Sequence, residues 1–401
     1  MNQASVPVPF RPGTVRLAIS LVFLVNGAVL ATWVSRIPVL KDALGLSDGQ
    51  LGLALLGMAV GALIAFPITG LLISRFGSRN VTLAVGVLYC LTLPLLALAP
   101  SLSVLTLTLL AFGALNGSMD VAMNAHGVEV EKHSGRRILS SLHGMWSLGG
   151  LIGSGLGALA AHQGLSPRMH LSVTALLLAV VLVLAATHLL RSRPTYRSGD
   201  PVFALPTPAL LGFGLIAFCA FLSEGAMADW SAVYLRDTLG TGAPFAAIGY
   251  AAFSLTMTAG RFTGDALVTW LGPVRTVRFG GLLAGFGLGT ALLLGSPAFT
   301  LVGFACVGLG MAAIAPLVFS AAGRTPGVSS GTAIAAVATM GYTGLLAGPP
   351  LIGLMAETVT LRIALGAVAL LGFTIALLSG NVRGAALPGE EAPVPELEGA
   401  R

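Results

Sequence analysis

Asn116, Asp120 and Asn124 are spaced four residues apart, so on a helix all three project from one face. An amide both donates and accepts hydrogen bonds, and a carboxylate can take up and release a proton. A stripe of this kind suits proton loading or the holding of a polar solute. It sits in the stretch NGSMDVAMNAHGVEVEKHSGRRILSSLHGMWSLGG, Asn116 to Gly150, and apolar glycine-rich sequence flanks it from Leu102 to Ala161. A hydrophilic turn, Glu129 to Arg137, interrupts the stretch. His143, Trp146 and Ser147 then share one face of the next apolar segment. An imidazole changes charge near neutral pH, and an indole offers a flat face to a sugar or other planar ligand.

The surroundings of these residues are a lipid bilayer. Of 401 residues, 55% are hydrophobic and 9% are charged, and the mean hydropathy is +0.92. Soluble domains carry roughly 25% charged residues, so the chain is a polytopic membrane protein. The net charge of +6 is dispersed in short pairs between apolar spans, without a basic stripe or aromatic platform, which excludes nucleic acid as a partner. Cys90, Cys219 and Cys306 lie singly in apolar spans and read as small core residues. No metal-binding H-E-x-x-H and no G-x-x-x-x-G-K-[ST] phosphate loop occurs, so neither a metal, another cofactor nor ATP is expected, and the chain is not read as an enzyme.

Apolar spans recur at about residues 25, 62, 88, 112, 152, 178, 220, 255, 285, 308, 342 and 370, each of roughly 18–27 residues, enough for a membrane helix. The fold class expected is all-α, with twelve transmembrane helices in two parallel six-helix repeats. Residues 1–13 read as a tail, 14–190 as the first bundle and 191–206 as a Pro- and Arg-rich linker. Residues 207–380 form the second bundle and 381–401 a disordered tail. The second helix is expected to start at Ser47-Asp48-Gly49-Gln50, an S-x-x-Q capping box. Fifteen Arg and Lys fall on the side of the termini and five on the other, which places both termini in the cytoplasm of an inner membrane protein.

The halves echo each other. Gly77 and Gly272 are 195 residues apart, as are Gly149 and Gly344, and Gly153 and Gly348. Phe23-Leu24-Val25-Asn26-Gly27-Ala28 matches Phe221-Leu222-Ser223-Glu224-Gly225-Ala226, with Trp33 and Trp230 following. By that match Asn26 and Glu224 face each other across a central cavity. Gly113 and Gly117, then Gly149, Gly153 and Gly157, mark helices that approach closely.

Gly70-Leu71-Leu72-Ile73-Ser74-Arg75-Phe76-Gly77-Ser78-Arg79 resembles the major facilitator superfamily signature G-x-L-A-D-R-x-G-R-R, with Ser74 where that family usually has Asp. Asp120-Val121-Ala122-Met123-Asn124 looks like the acid-x-A-x-N pattern of its fucose-permease-like branch, in which the helix-four acid is a protonation site. The resemblance implies a monomeric secondary transporter that moves a small, sugar-like molecule across the inner membrane by alternating access, coupled to protons. Its substrate and direction stay open, and the rivals are a drug or metabolite exporter and a sensor without flux. Substrate contacts are expected from Asn26, Asn116, Asn124, Trp146, Glu224 and Trp230, and proton coupling from Asp120, Glu224 and His143. Gating is expected from Ser74, Arg75, Gly77, Arg79, Glu129, Glu131, Arg136, Arg261 and Asp265, with Arg261 and Asp265 paired at i, i+4.

Overall fold

A computed structural model describes residues 12–46, 48–191 and 208–385. Most of the 1–13 tail, the 191–206 linker except Arg191, Ser47 of the capping box and the residues beyond 385 lie outside the described residues. Those described form helices and turns only.

The first half comprises α1 (Pro12–Val34), the short α2 (Ile37–Ala43), α3 (Asp48–Phe76), α4 (Ser78–Leu98), α5 (Leu102–Ser134), α6 (Leu139–His162) and α7 (Pro167–Ala186). The second comprises α8 (Pro208–Val233), α9 (Ala243–Leu271), α10 (Pro273–Leu294), α11 (Pro297–Met311), α12 (Ile314–Ala322), α13 (Ser330–Thr358) and α14 (Leu361–Leu378). Eleven stretches are long and apolar enough to cross a membrane, and one of them, Pro297–Ala322, joins α11 and α12. The twelfth span is α9, 29 residues long, whose hydropathy Arg261 and Asp265 dilute. Setting α2 aside, six spans fall in each half. The tenth span is broken at residues 312–313, where the sequence pattern suggested one continuous helix.

Local chemistry sets the helix ends. Ser101, Ser166, Ser329 and Thr360 each accept a bond from the backbone N–H three residues on, satisfying a donor that the helix leaves free. Gly77 and Gly272 turn the chain between α3 and α4 and between α9 and α10 at φ of 80° and 77°. Only glycine enters that region without strain. The role the structure gives Gly77 is therefore this turn.

Glycines also set the helix spacing. Gly113 lies against Met58, Gly61 against Leu110, and Gly308 against Phe253, each contact reaching backbone. Gly149 and Gly153 rest on the carbonyls of Leu24 and Ala28 in α1; Gly344 and Gly348 rest on those of Phe218 and Leu222 in α8. These α8 partners lie 194 residues on (218 − 24 and 222 − 28), whereas the match of Phe23 with Phe221 requires 198 (221 − 23). In the packing Asn26 corresponds to Ala220. Glu224 is one turn further along its helix than the sequence match placed it, on the same face but at a different depth. A six-residue match slides by one helical turn without losing its apolar face.

A Cβ at position 149 would strike the Leu24 carbonyl, which is backbone and has nowhere to go, whereas one at Gly150 meets nothing within 4 Å. Overpacking typically costs about 1–3 kcal/mol. Gly149→Val should therefore melt several degrees below wild type in detergent, while Gly150→Ala stays within a degree or two. Intrinsic-fluorescence melting curves check this, and equal melting of both variants would refute the close approach of α1 and α6.

Candidate functional site

Part of the set singled out from the sequence gathers where the halves meet: Asp120, Asn124, His143, Trp146, Arg261 and Asp265. α5 delivers Asp120 and Asn124 from one face. His143 enters from α6, its ring edge-on to Phe23 at 5.4 Å and stacked on Phe319 at 6.2 Å. His143 Nε2 is 3.0 Å from Asn124 Oδ1. That oxygen can only accept, so Nε2 carries the hydrogen. The Asn124 amide donates in turn to Asp120 Oδ1 at 3.1 Å and to the Asp120 carbonyl at 2.9 Å. From the other half the Tyr342 hydroxyl of α13 donates to Asp120 Oδ2 across 3.4 Å. Its ring is held edge-on by Phe66 of α3 and Phe221 of α8. Four side chains thus form one chain of bonds across the seam. Asn116 shares their helix face but stays out of the chain, its buried Oδ1 having no partner among the described residues.

A second cluster adjoins the first. Trp146 Nε1 donates to Asn26 Oδ1 at 2.8 Å. The Arg261 guanidinium reaches over from α9, 5.8 Å above the Trp146 ring, and donates to Ser147 Oγ at 2.8 Å. Its other arm meets Glu224 Oε1 at 3.4 Å. The Arg261 side chain is 9% exposed and that of Glu224 is 31%, so the acid presents the accessible charge. Asn26 and Glu224 are joined through Trp146 and Arg261, not directly. Trp230 packs beside Gly353 in its own half, its buried indole N–H having no partner among the described residues.

The expected Arg261–Asp265 pair gives way to contacts between halves. Asp265 accepts the backbone N–H groups of Ser140 and Ser141 at 2.9 and 2.8 Å, capping the start of α6 from α9. A helix start offers free donors and a favourable dipole to a carboxylate, so Asp265 is satisfied there and Arg261 is free to reach Glu224.

At the face where α1 begins and α14 ends, Glu131 and Lys132 close the seam. Glu131 accepts from the N–H groups of Ile138 and Leu139, from Ser320 Oγ at 2.8 Å and from Arg324 at 3.3 Å. Lys132 donates to the Gly323 carbonyl and to Ser330. Glu129 instead accepts from Ser78 at 2.8 Å, and Arg79 donates to the Ala186 carbonyl, both within the first half. Ser74 bonds back to the Leu71 carbonyl of its own helix. Arg75 and Arg136 lie exposed at this face.

Tyr342, Ser320, Arg324, Lys132 and the Ser140–Ser141 amides complete these clusters, and sequence reasoning missed them. A lone Tyr in a glycine-rich span was the one available signal for Tyr342. The rest depend on which helix ends meet.

Twelve spans in two halves around a polar seam define a polytopic membrane transporter. The chain belongs to the Major Facilitator Superfamily, whose family model matches residues 18–331. It is 39% identical over 356 residues to an uncharacterized MFS-type transporter of Yersinia pestis, covering 89% of this chain and 92% of that one. It is 35% identical over 365 residues to the membrane protein MosC of Rhizobium meliloti, covering 90% and 88%. Among solved structures, the fucose:proton symporter FucP of E. coli matches with a TM-score of 0.75 at 17% identity, over 91% of this chain and 97% of that one. The human organic anion transporter MFSD10 matches with a TM-score of 0.76 at 14% identity, over 92% and 100%.

Glu131 and Arg324 are nearly buried, and removing one partner of such a pair typically costs about 3–5 kcal/mol. Glu131→Ala should open the face bearing the termini. A single cysteine replacing buried Ser320 would then be alkylated faster from that face than in the Glu131 background, and unchanged alkylation would show that other contacts hold the closure.

Proposed function

We propose that the protein is a secondary active transporter that moves a small polar, sugar-like molecule across the inner membrane by alternating access, with protons as the coupling ion. The observation that carries this reading is the contrast between its two seam carboxylates. Glu224 has a guanidinium partner, whereas Asp120, buried in the seam, has only amide and phenol donors among the described residues. A buried carboxylate without a cation is tolerated when a proton neutralises it.

Loading that proton changes the seam chemically. Asn124 holds Oδ1, so the proton sits on Oδ2 and the new O–H points at Tyr342. The phenol must then accept where it had donated. The bond joining the halves is rewritten whenever Asp120 gains or loses a proton, which couples titration to the rocking of one half against the other. Glu224, Trp146 and Asn26 form the substrate bed, with Arg261 holding Glu224 in place. Glu131, Lys132 and Asp265 hold the halves together on the face of the termini. The shared fold with solved structures named as fucose:proton and proton:xylose symporters supports the reading.

In proteoliposomes, Asp120→Asn should retain counterflow exchange but lose accumulation driven by a pH gradient, because the amide mimics the neutral acid and does not titrate. Glu224→Gln should keep coupling and weaken binding roughly 10-fold, the loss expected for one charged hydrogen bond. Accumulation that persists in Asp120→Asn and fails in Glu224→Gln would exchange the two roles. Normal accumulation in both would leave a uniporter.

Orientation has its own check. A cysteine replacing Arg136 in an otherwise cysteine-free chain should react with an impermeant maleimide only from the cytoplasmic side. Labelling of intact cells from outside would invert the topology.

A further inference from the structure

A buried imidazole beside a proton site can carry the proton itself or hold still the group that does. At His143 the two roles differ in what lies between the ring and Asp120. That spacer is Asn124, and its orientation is fixed from within α5. The Asp120 carbonyl, 2.9 Å from Nδ2, can only accept, so the NH2 group faces Asp120 and Oδ1 faces His143. His143 Nε2, at 3.0 Å, is the one donor to that oxygen among the described residues. Asn124 is buried, and a buried acceptor that loses its donor bears the full cost of its desolvation. Without the imidazole the amide would turn to find another donor.

An amide passes on a hydrogen bond but not a proton, since it neither gains nor loses one near neutral pH. A ring in direct contact with Asp120 would instead pair as imidazolium and keep the acid ionised. A neighbouring charge acts in the same sense. Ser147, one turn beyond His143 on α6, donates to the His143 carbonyl at 3.2 Å and accepts from Arg261 at 2.8 Å. A guanidinium so placed disfavours a second cation on the ring. The other titratable groups around it are Asp120 and Tyr342 behind the amide, and Glu224 beyond Arg261. From α1 and α12 the ring meets Phe23 edge-on and Phe319 stacked, which hold its plane.

We propose that His143 is a positioning residue for Asp120: neutral throughout, it anchors Asn124 so that the amide grips Oδ1 and leaves Oδ2, facing Tyr342, to load the proton. This role rests on the reading of Asp120 as the proton site. It makes loading directional, because an Asn124 free to turn would leave both oxygens open and let the proton settle away from the seam bond. It also sets the pH at which loading occurs. A donor held on a carboxylate favours the ionised form, so its release lets the acid keep a proton to higher pH.

Infrared titration of the purified full-length protein in lipid tests this with protons alone as the probe. The carboxylic C=O band that is lost in Asp120→Asn reports loading at that residue. In His143→Phe, which keeps a flat ring but donates nothing, the midpoint of that band should rise by about one to two pH units, the equivalent of one hydrogen bond to a charged group. His143→Gln, whose amide can donate from the Nε2 position, should reverse most of that shift. Nitrogen NMR of histidine-labelled wild type should show the His143 ring, identified by its loss in His143→Gln, neutral with its hydrogen on Nε2 on both sides of the midpoint. Should His143→Phe yield no folded protein, that signal decides. An imidazolium that forms as Asp120 ionises overturns the proposal and makes His143 a proton carrier. An unmoved midpoint in His143→Phe, or an equal shift in both variants, overturns it and leaves the ring a packing element. If no titrating band is lost in Asp120→Asn, the reading of Asp120 as the proton site falls, and the role of His143 with it.

Discussion

A carboxylate inside a bilayer must find its donors in protein, because no water is present to supply them. In this chain the four acids at or near the seam find theirs mainly on other helices. Asp120 of α5 takes a phenol from α13, and Glu224 of α8 takes a guanidinium from α9. Asp265 of α9 takes two backbone amides at the start of α6, and Glu131 of α5 takes amides from α6 with a hydroxyl and a guanidinium from the second half. Three of the four cross between halves. The demand that each buried charge be met thus holds the two bundles together on one side of the membrane.

Such bonds are suited to being broken and remade. An apolar seam of the same area would gain from burial whichever side were closed, with little to distinguish the states. Acids capped by helix starts and guanidinium groups give discrete partners, so each arrangement is a separate minimum. Where an acid lacks a cation, as Asp120 does among the described residues, a proton can neutralise it in place of a protein partner.

The glycines complement this chemistry. Gly149, Gly153, Gly344 and Gly348 bring α6 onto α1 and α13 onto α8 with backbone in contact, making each half a rigid unit. Trp146 contributes on both levels: its backbone lies against Gly27 while its ring carries Arg261.

Composition and the spacing of apolar runs were enough to indicate a twelve-span membrane protein, because a helix in lipid needs about 20 mostly apolar residues whatever its neighbours. The four-residue spacing of Asn116, Asp120 and Asn124 placed them on one face for the same reason: the period of a helix is a local property. Which groups those residues meet was not local. Arg261 and Asp265 sit one turn apart, and a pair between them was the simplest reading; the structure sends each to a different helix because α6 offers Asp265 two free amides and Glu224 offers Arg261 a countercharge. The register of Asn26 against Glu224 failed for a related reason. Apolar helix faces repeat every turn, so a short match cannot tell one turn from the next, and only the contact of glycine with a neighbouring carbonyl decides it. Tyr342, Arg324 and Lys132 acquired their roles in the same way, from contacts with residues 222, 193 and 198 positions away in sequence, which packing in three dimensions alone brings about.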